Sequence, residues 1–162
     1  MFVVKWIVVV LLLVALVLVG AGQAGLLKGH VPRNLGVRDG RLLPPSRTPN
    51  SVSSQARLYP DHPMHGQAAI RPLPVKGSGP ATLARIKEIV AGMDGSEVVE
   101  IEPGYLYVRF TTPVLKFVDD AEFWYDRAEN AIQVRSASRL GSKDFGTNRS
   151  RIEAIRQRLT AQ

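Results

Sequence analysis

The chain has 162 residues, with 21 Lys and Arg against 14 Asp and Glu and a formal net charge of +7. This length indicates one domain with an attached segment. The absence of cysteine excludes disulfides, a cysteine nucleophile, thiolate metal sites and a lipidated N-terminal cysteine.

The positive charge is concentrated in the first half of the chain. Residues 23–76 hold eight basic and two acidic residues, whereas residues 77–162 hold twelve of each. A nucleic-acid-binding domain would carry its basic excess on the fold itself, so we expect no nucleic acid as a partner. A basic segment outside the fold suits an anionic membrane surface, or is simply a solvated linker.

The N-terminus is a long apolar segment. Residues 6–22 carry no charge, and 17 residues are enough for a helix to cross a bilayer. Trp6 lies where an interfacial anchor would lie, and the small residues around Gln23 also resemble a signal-peptide cleavage site. We therefore predict residues 1–24 to be a transmembrane anchor or a signal-like segment. The rest of the chain is then outside the cytoplasm, either held by a single-pass anchor at residues 6–22 or secreted after cleavage.

The next part of the chain is rich in proline. Residues 25–48 are predicted to be a proline-rich basic linker, and residues 49–162 a folded domain. Two segments ahead of the first helix, 49–55 and 69–75, are expected to dock on the fold, the second as an edge strand where proline is tolerated.

The remaining elements predict an α+β fold. A helix should begin at the capping residue Ser78 and end at Gly92. Four strands should follow in an antiparallel sheet with one buried face. In the first of them, Val99 and Ile101 alternate with acids. A last helix should begin near Asn148, a good capping residue.

The third and fourth strands can be aligned by their alternation. With Phe123 opposite Val134, each pair of residue numbers sums to 257. Glu122 then faces Arg135 on the side away from the core, and Arg139 lies diagonally from Asp120. Opposite charges across such a pair contribute roughly 0.2–1 kcal/mol.

This pairing gathers a polar cluster with three interpretations. It could be a structural lattice of ion pairs. It could be an anion site, because arginines and a helix N-terminus suit phosphate or carboxylate. It could also be catalytic, with Asp120 and Glu122 as paired carboxylates. The candidate binding residues are Asp120, Glu122, Arg135, Ser136, Ser138, Arg139, Asn148 and Arg149.

Motifs for other chemistry are absent from the sequence. There is no nucleophile elbow, phosphate loop or dinucleotide fingerprint, so we expect no cofactor. His62 and His65 could ligate a metal, but isolated loop histidines usually do not, so we expect no metal site.

Four motifs resemble those of a known family. They are Pro49-Asn-Ser-Val-Ser-Ser-Gln55, Phe117-Val-Asp-Asp-Ala-Glu-Phe123, Val134-Arg-Ser-Ala-Ser-Arg-Leu-Gly141 and Asp144-Phe-Gly-Thr-Asn-Arg149. Together they resemble the uncharacterised bacterial and plastid family catalogued as domain of unknown function fourteen ninety-nine, over about residues 49–159. The resemblance implies a secreted or membrane-attached protein and assigns no activity. Family members often carry a Cys where this chain has Ser51, which favours a structural or binding role here.

The leading hypothesis is a membrane-anchored envelope protein, located in the periplasm or an equivalent space. Its domain would bind an anionic ligand, a lipid headgroup or an envelope protein without catalysing a reaction. One alternative is an envelope hydrolase that uses Asp120 and Glu122. The other is a structural interaction module that makes contact through the basic segment at residues 23–76, which we call the basic connector.

Overall fold

The fold combines an antiparallel sheet, two helices packed on it and an N-terminal apolar helix, which confirms the α+β prediction. A computed structural model describes residues 2–161. Its elements are α1 (Phe2–Gln23), β1 (Ser51–Ser53), a 3₁₀ turn (Ala56–Leu58), β2 (Leu73–Pro74), α2 (Gly79–Ala91), β3 (Ser96–Glu102), β4 (Tyr105–Thr111), β5 (Val118–Asp126), β6 (Ala131–Ser138) and α3 (Thr147–Thr160).

Helix α1 extends away from the domain. Its residues 2–18 are all exposed, and Gly22 in the last turn is its one buried residue. It is long and apolar enough to cross a membrane, and by these criteria it could be an anchor or a signal sequence.

The sheet has six strands, in the order β1-β6-β5-β4-β3, with β2 pairing beside β1 on β6. The expectation of about four strands was therefore too low. The two added strands come from the segments that we expected to dock. They are three and two residues long, too short to show a period of two in the sequence. Pro74 lies on the outer strand of this edge, where a missing amide donor is tolerated.

The pairing of β5 with β6 follows the predicted register throughout. Phe123 lies opposite Val134, and Glu122 lies opposite Arg135. Side chains on one face of the sheet, including Phe123, Val134 and Ile132, form the main core with Ile86 of α2 and Ile155 of α3. We call this the core face, and the opposite side the outer face.

Strand β3 departs from the prediction. Val99 and Ile101 are 43% and 58% exposed, although their alternation with acids indicated a buried row. The register shifts between Val98 and Glu100, and it is Val98 that packs against the core. The bulge leaves Val99 unpaired and puts Val98 on the core face, which the sequence pattern does not reveal. Ile101 is opposite the core residue Leu106, on the core face as predicted, but it lies at the end of the edge strand and stays exposed.

Both helices begin where the sequence predicts, but only one of the two expected capping residues is the cap. Ser78 caps α2, accepting a hydrogen bond from the Ala81 amide at 3.3 Å. Helix α3 begins one residue before Asn148, its N-cap is Gly146, and Asn148 is fully buried. Asn148 is thus not the capping residue, because its amide side chain is used inside the protein.

We expect Gly95→Ala to lower the free energy of unfolding more than Gly104→Ala does. Both glycines have positive φ, where an L residue costs about 1–2 kcal/mol. A Cβ at Gly95 would also lie 2.2 Å from the Thr111 carbonyl oxygen, whereas one at Gly104 meets nothing within 4 Å. Chemical denaturation of both variants measures the difference, and equal losses would contradict the close approach of Gly95 to β4.

Candidate functional site

Asp120 accepts three hydrogen bonds from two side chains on the outer face of the sheet. Arg139 binds it with two hydrogen bonds, from Nε to Oδ2 at 2.9 Å and from Nη2 to Oδ1 at 2.7 Å. The Tyr107 hydroxyl donates to Oδ1 at 2.6 Å. The side chains of Asp120 and Arg139 are 1% and 5% exposed. This is a buried bidentate pair, the strongest geometry for an arginine and a carboxylate.

Glu122 is the second carboxylate of this face. Its Oε1 accepts hydrogen bonds from the Gly36 amide at 2.7 Å and the Tyr105 hydroxyl at 2.8 Å. Its Oε2 lies 3.7 Å from Arg135 Nη1, an ion pair without a hydrogen bond. Arg135 also donates from Nε to the Pro44 carbonyl at 3.1 Å. We call Asp120, Glu122, Arg135, Arg139 and the two tyrosines the carboxylate cluster.

The cluster is buried because residues 34–46, the cover segment, lie over it. Leu35, Val37 and Leu42 pack against Trp124 and the cluster tyrosines. Gln55 fixes the segment, accepting from the Leu42 amide and donating to the Gly40 carbonyl. The whole cover segment falls in the stretch predicted as linker, and its contacts explain why the carboxylate cluster on the outer face is buried.

Burial sets the protonation behaviour of the cluster. It raises the pKa of Glu122, although the Gly36 amide, Arg135 and Tyr105 all favour the ionised form. Burial likewise lowers the pKa of Arg135. It also raises the pKa of each cluster tyrosine, with hydrogen bonds to the acids acting in the same direction. The tyrosines are therefore neutral donors to the carboxylates.

A second network lies on the core face, around Asn148. Its Oδ1 accepts from the Ser136 hydroxyl and from Arg151 Nη1. Its Nδ2 donates to the Asn50 carbonyl at 3.2 Å and to Ser138 Oγ at 3.1 Å. We call this the Asn148 network. It joins the segment before β1, the end of β6 and the first turn of α3.

Asp119 and Asp144 extend the Asn148 network. Arg151 Nη2 binds Asp119 at 2.7 Å, and its guanidinium lies 4.4 Å from the centre of the Phe110 ring. Asp144 accepts hydrogen bonds from the backbone amides of Gly146 and Asn148. Burial alone would raise the pKa of Asp144, but these bonds outweigh it and the pKa is lowered. The carboxylate of Asp144 thus occupies the start of α3, the position that the anion-site interpretation assigned to an external anion.

The sheet separates the candidate residues into groups. Asp120, Glu122, Arg135 and Arg139 meet on the outer face, whereas Ser136, Ser138 and Asn148 meet on the core face. Arg149 belongs to neither group. Its Nη2 donates to the carbonyls of Gln67 and Ala69 at 2.8 and 3.0 Å. Arg149 lines a cleft of about 320 Å³ together with Lys143, Ser51, Met64 and Phe145.

Sequence reasoning missed several members of these networks. Tyr105 and Tyr107, which bind the acids of the carboxylate cluster, are not among the candidate residues. Asn50 and Arg151 of the Asn148 network are not among them either. Each of these side chains lies on a different element from its partner. The sequence pattern therefore could not reveal the contacts, which depend on how the strands and α3 pack together. Among residues 2–161, no group of three or more His, Asp or Glu side chains could hold a metal ion.

The site and fold define a small α+β domain with buried ion pairs on both faces of its sheet, attached to an apolar N-terminal helix. The model of the family described as Protein of unknown function (DUF1499) matches residues 41–159. The chain belongs to this family, which confirms the resemblance seen in its motifs. Searches of curated proteins and of solved structures each found no match. The family match begins inside the cover segment, ahead of the motifs.

We expect Asp120→Asn or Arg139→Met alone to cost about 3–5 kcal/mol of unfolding free energy, because each leaves one buried charge without its partner. The double variant should cost less than the sum, since neither charge then remains. The exposed pair of Glu97 and Arg109, 61% and 31% exposed, is the control, and Arg109→Met should cost under about 1 kcal/mol. Additive or small effects of the Asp120 and Arg139 changes in chemical denaturation would contradict a structural role for the buried pair.

Asp144→Ala should lower the unfolding free energy at neutral pH by about 1–2 kcal/mol, the usual loss for a capping carboxylate. Because the folded-state pKa of Asp144 is lowered, its ionisation stabilises the fold above the unfolded pKa. That contribution is lost as pH falls through the folded-state pKa. Thermal denaturation against pH should therefore show the gap between the two proteins narrowing in acid. The exposed Asp94→Ala is the control, and a gap that stays constant with pH would exclude the charge effect.

Proposed function

We propose that the protein is a single-pass membrane protein whose α+β domain lies outside the cytoplasm, in the cell envelope or periplasm. The domain works as a non-catalytic module that binds an anionic ligand, a lipid headgroup or an envelope protein. The observation that carries the non-catalytic assignment is the pairing of every carboxylate in the candidate site. Asp119, Asp120 and Glu122 each face an arginine within 4 Å.

The burial of these acids supports the same conclusion. Asp120 and Glu122 are 1% and 0% exposed and lie under the cover segment. A general acid or base has to come within hydrogen-bond reach of its substrate. The hydrolase alternative needs the cover segment to move and an arginine to release its partner. It therefore has less support than binding.

For an anionic ligand, the cleft beside Arg149 has more support than the carboxylate cluster. The charges of Arg135 and Arg139 are balanced by buried acids. The ion pairs among residues 2–161 do not include Arg149, whose hydrogen bonds go to neutral carbonyls. Lys143 is exposed on the same cleft. We therefore assign anion binding to Arg149 and Lys143.

In the interaction-module alternative, the basic connector is the surface that contacts a partner. The cover segment packs on the sheet through its apolar side chains. The basic residues of the connector stay exposed, among them Lys28, Arg33, Arg38, Arg41 and Arg47. A protein partner would have to bind there or at the cleft. This alternative shares the membrane anchor with the leading proposal and differs in its contact surface.

A thermal-shift screen of the full chain in detergent tests the ligand assignment, with inorganic phosphate, carboxylates, glycerophosphate headgroups and glycans as probes. A probe at a hundred times its Kd should stabilise the fold by about 2.7 kcal/mol. The shift should shrink in Lys143→Gln and Arg149→Gln, each compared with its own baseline. It should persist in Arg127→Gln, which removes an exposed charge from the β5–β6 turn. A flat screen of the folded protein would overturn the anionic-ligand assignment and leave an envelope protein as the partner.

A further inference from the structure

One end of the domain gathers its longer loops. Strands β4 and β6 run toward this end and β5 runs away from it. The loops 112–117 and 139–146 are therefore neighbours at this end, whereas the turns at 103–104 and 127–130 lie at the other. We call the end formed by loops 112–117 and 139–146 the loop face.

Helix α1 joins the domain at the loop face. Gln23 Nε2 donates to the Val114 carbonyl at 3.0 Å. A Cβ at Gly22 would lie 2.5 Å from the Leu115 carbonyl oxygen, so the helix backbone touches this loop directly. Gly29, just beyond the helix, is similarly close to Arg139 and Leu140. Both loops of the loop face are thus tied to the end of α1.

The length of α1 fixes where the loop face lies once the helix spans a bilayer. Its 22 residues extend roughly 33 Å, close to the hydrocarbon thickness of about 30 Å. The last turn, with Gly22 and Gln23, then lies at the headgroup level. Loop 112–117 contacts that turn and lies at the same level.

The loop face exposes large apolar side chains. Phe145 is 96% exposed, the highest value among the exposed large hydrophobic side chains, and Val114 and Leu140 are 54% and 39% exposed. Lys116 and Lys143 lie in the same two loops. Aromatic and aliphatic side chains beside lysines are the composition of a surface that enters the headgroup region of a bilayer.

Phe145 lies in a turn with an unusual backbone conformation. Its φ is +52°, an outlier for a bulky residue. Asp144 and Gly146 on either side fix this turn through the Asp144 carboxylate. Strain kept at an exposed aromatic residue is more typical of a contact site than of a solvated loop.

We propose that the loop face lies on the bilayer that α1 spans, with Phe145 and Val114 in the headgroup region and Lys116 and Lys143 beside lipid phosphates. This inference rests on the proposed membrane anchor. It adds an orientation: the Arg149 cleft, which also includes Phe145 and Lys143, opens next to the membrane surface. The lipid headgroup is then the ligand nearest to the cleft.

The cysteine-free chain allows a direct test. Single variants Phe145→Cys and Val114→Cys carry an environment-sensitive fluorophore in the full-length protein, reconstituted in phosphatidylcholine vesicles with phosphatidylglycerol. The control is Ile101→Cys, which is 58% exposed at the opposite end of the sheet. Nitroxide lipids with the spin label near the headgroup should quench the labels at 145 and 114 several-fold more than the label at 101.

Flotation of the same vesicles separates the two proposals. Protein that floats with the lipid while all three labels are quenched equally weakly keeps the anchor and overturns the loop-face orientation. A blue-shifted label at 145 without lipid quenching also overturns it, because the side chain is then covered by protein. Protein that does not float, or a mature chain shown by intact mass to begin near Gln23, removes the anchor and the inference with it.

Discussion

Three carboxylates on the central strand β5 have to be compensated, and much of the domain is arranged around this requirement. Asp119 points to the core face, while Asp120 and Glu122 point to the outer face, and all three are buried. A buried charge without a partner costs several kcal/mol. The partners come from three different places: Arg151 on α3, Arg135 on β6 and Arg139 after β6. Arg151 therefore ties α3 to the sheet, Arg139 ties the loop after β6 to β5, and Arg135 links β6 to β5 within the sheet.

Because of this arrangement, the densest group of polar residues is not accessible for contact with other molecules. A cluster of acids and arginines resembles an active site in the sequence, yet here the charges neutralise each other and the cover segment excludes water from them. Replacing such buried pairs with apolar residues is often neutral or stabilising, so their presence is weak evidence for a gain in net stability. What remains for contact with other molecules lies at the periphery: the cleft beside Arg149 and the loops that adjoin the end of α1. Both share Phe145 and Lys143, so the proposed anion binding and the proposed membrane orientation involve the same loop.

Much of the fold could be predicted because long strands carry a period of two. The alternation of β5 and β6 gave the register, and with it the contacts of Glu122 with Arg135 and of Asp120 with Arg139. The short strands β1 and β2 carry no such period, and the bulge in β3 put Val98 rather than Val99 on the core face. Asn148 was expected at a cap because Asn favours that position. It is instead buried, because Asn50, Ser136 and Ser138 satisfy its amide group.

The sequence by itself determined the apolar N-terminal helix, the α+β class, the pairing of the two central strands and membership of the family. Each of these depends on local periodicity, composition or short motifs. Only the tertiary structure decided that residues 34–46 cover the acids, that the sheet splits the candidate site between its faces, and that Asp144 occupies the start of α3. These depend on contacts between residues such as Gly36 and Glu122, which are 86 positions apart. No local pattern specifies such a contact, because its free energy comes from burial that exists only once the chain has folded.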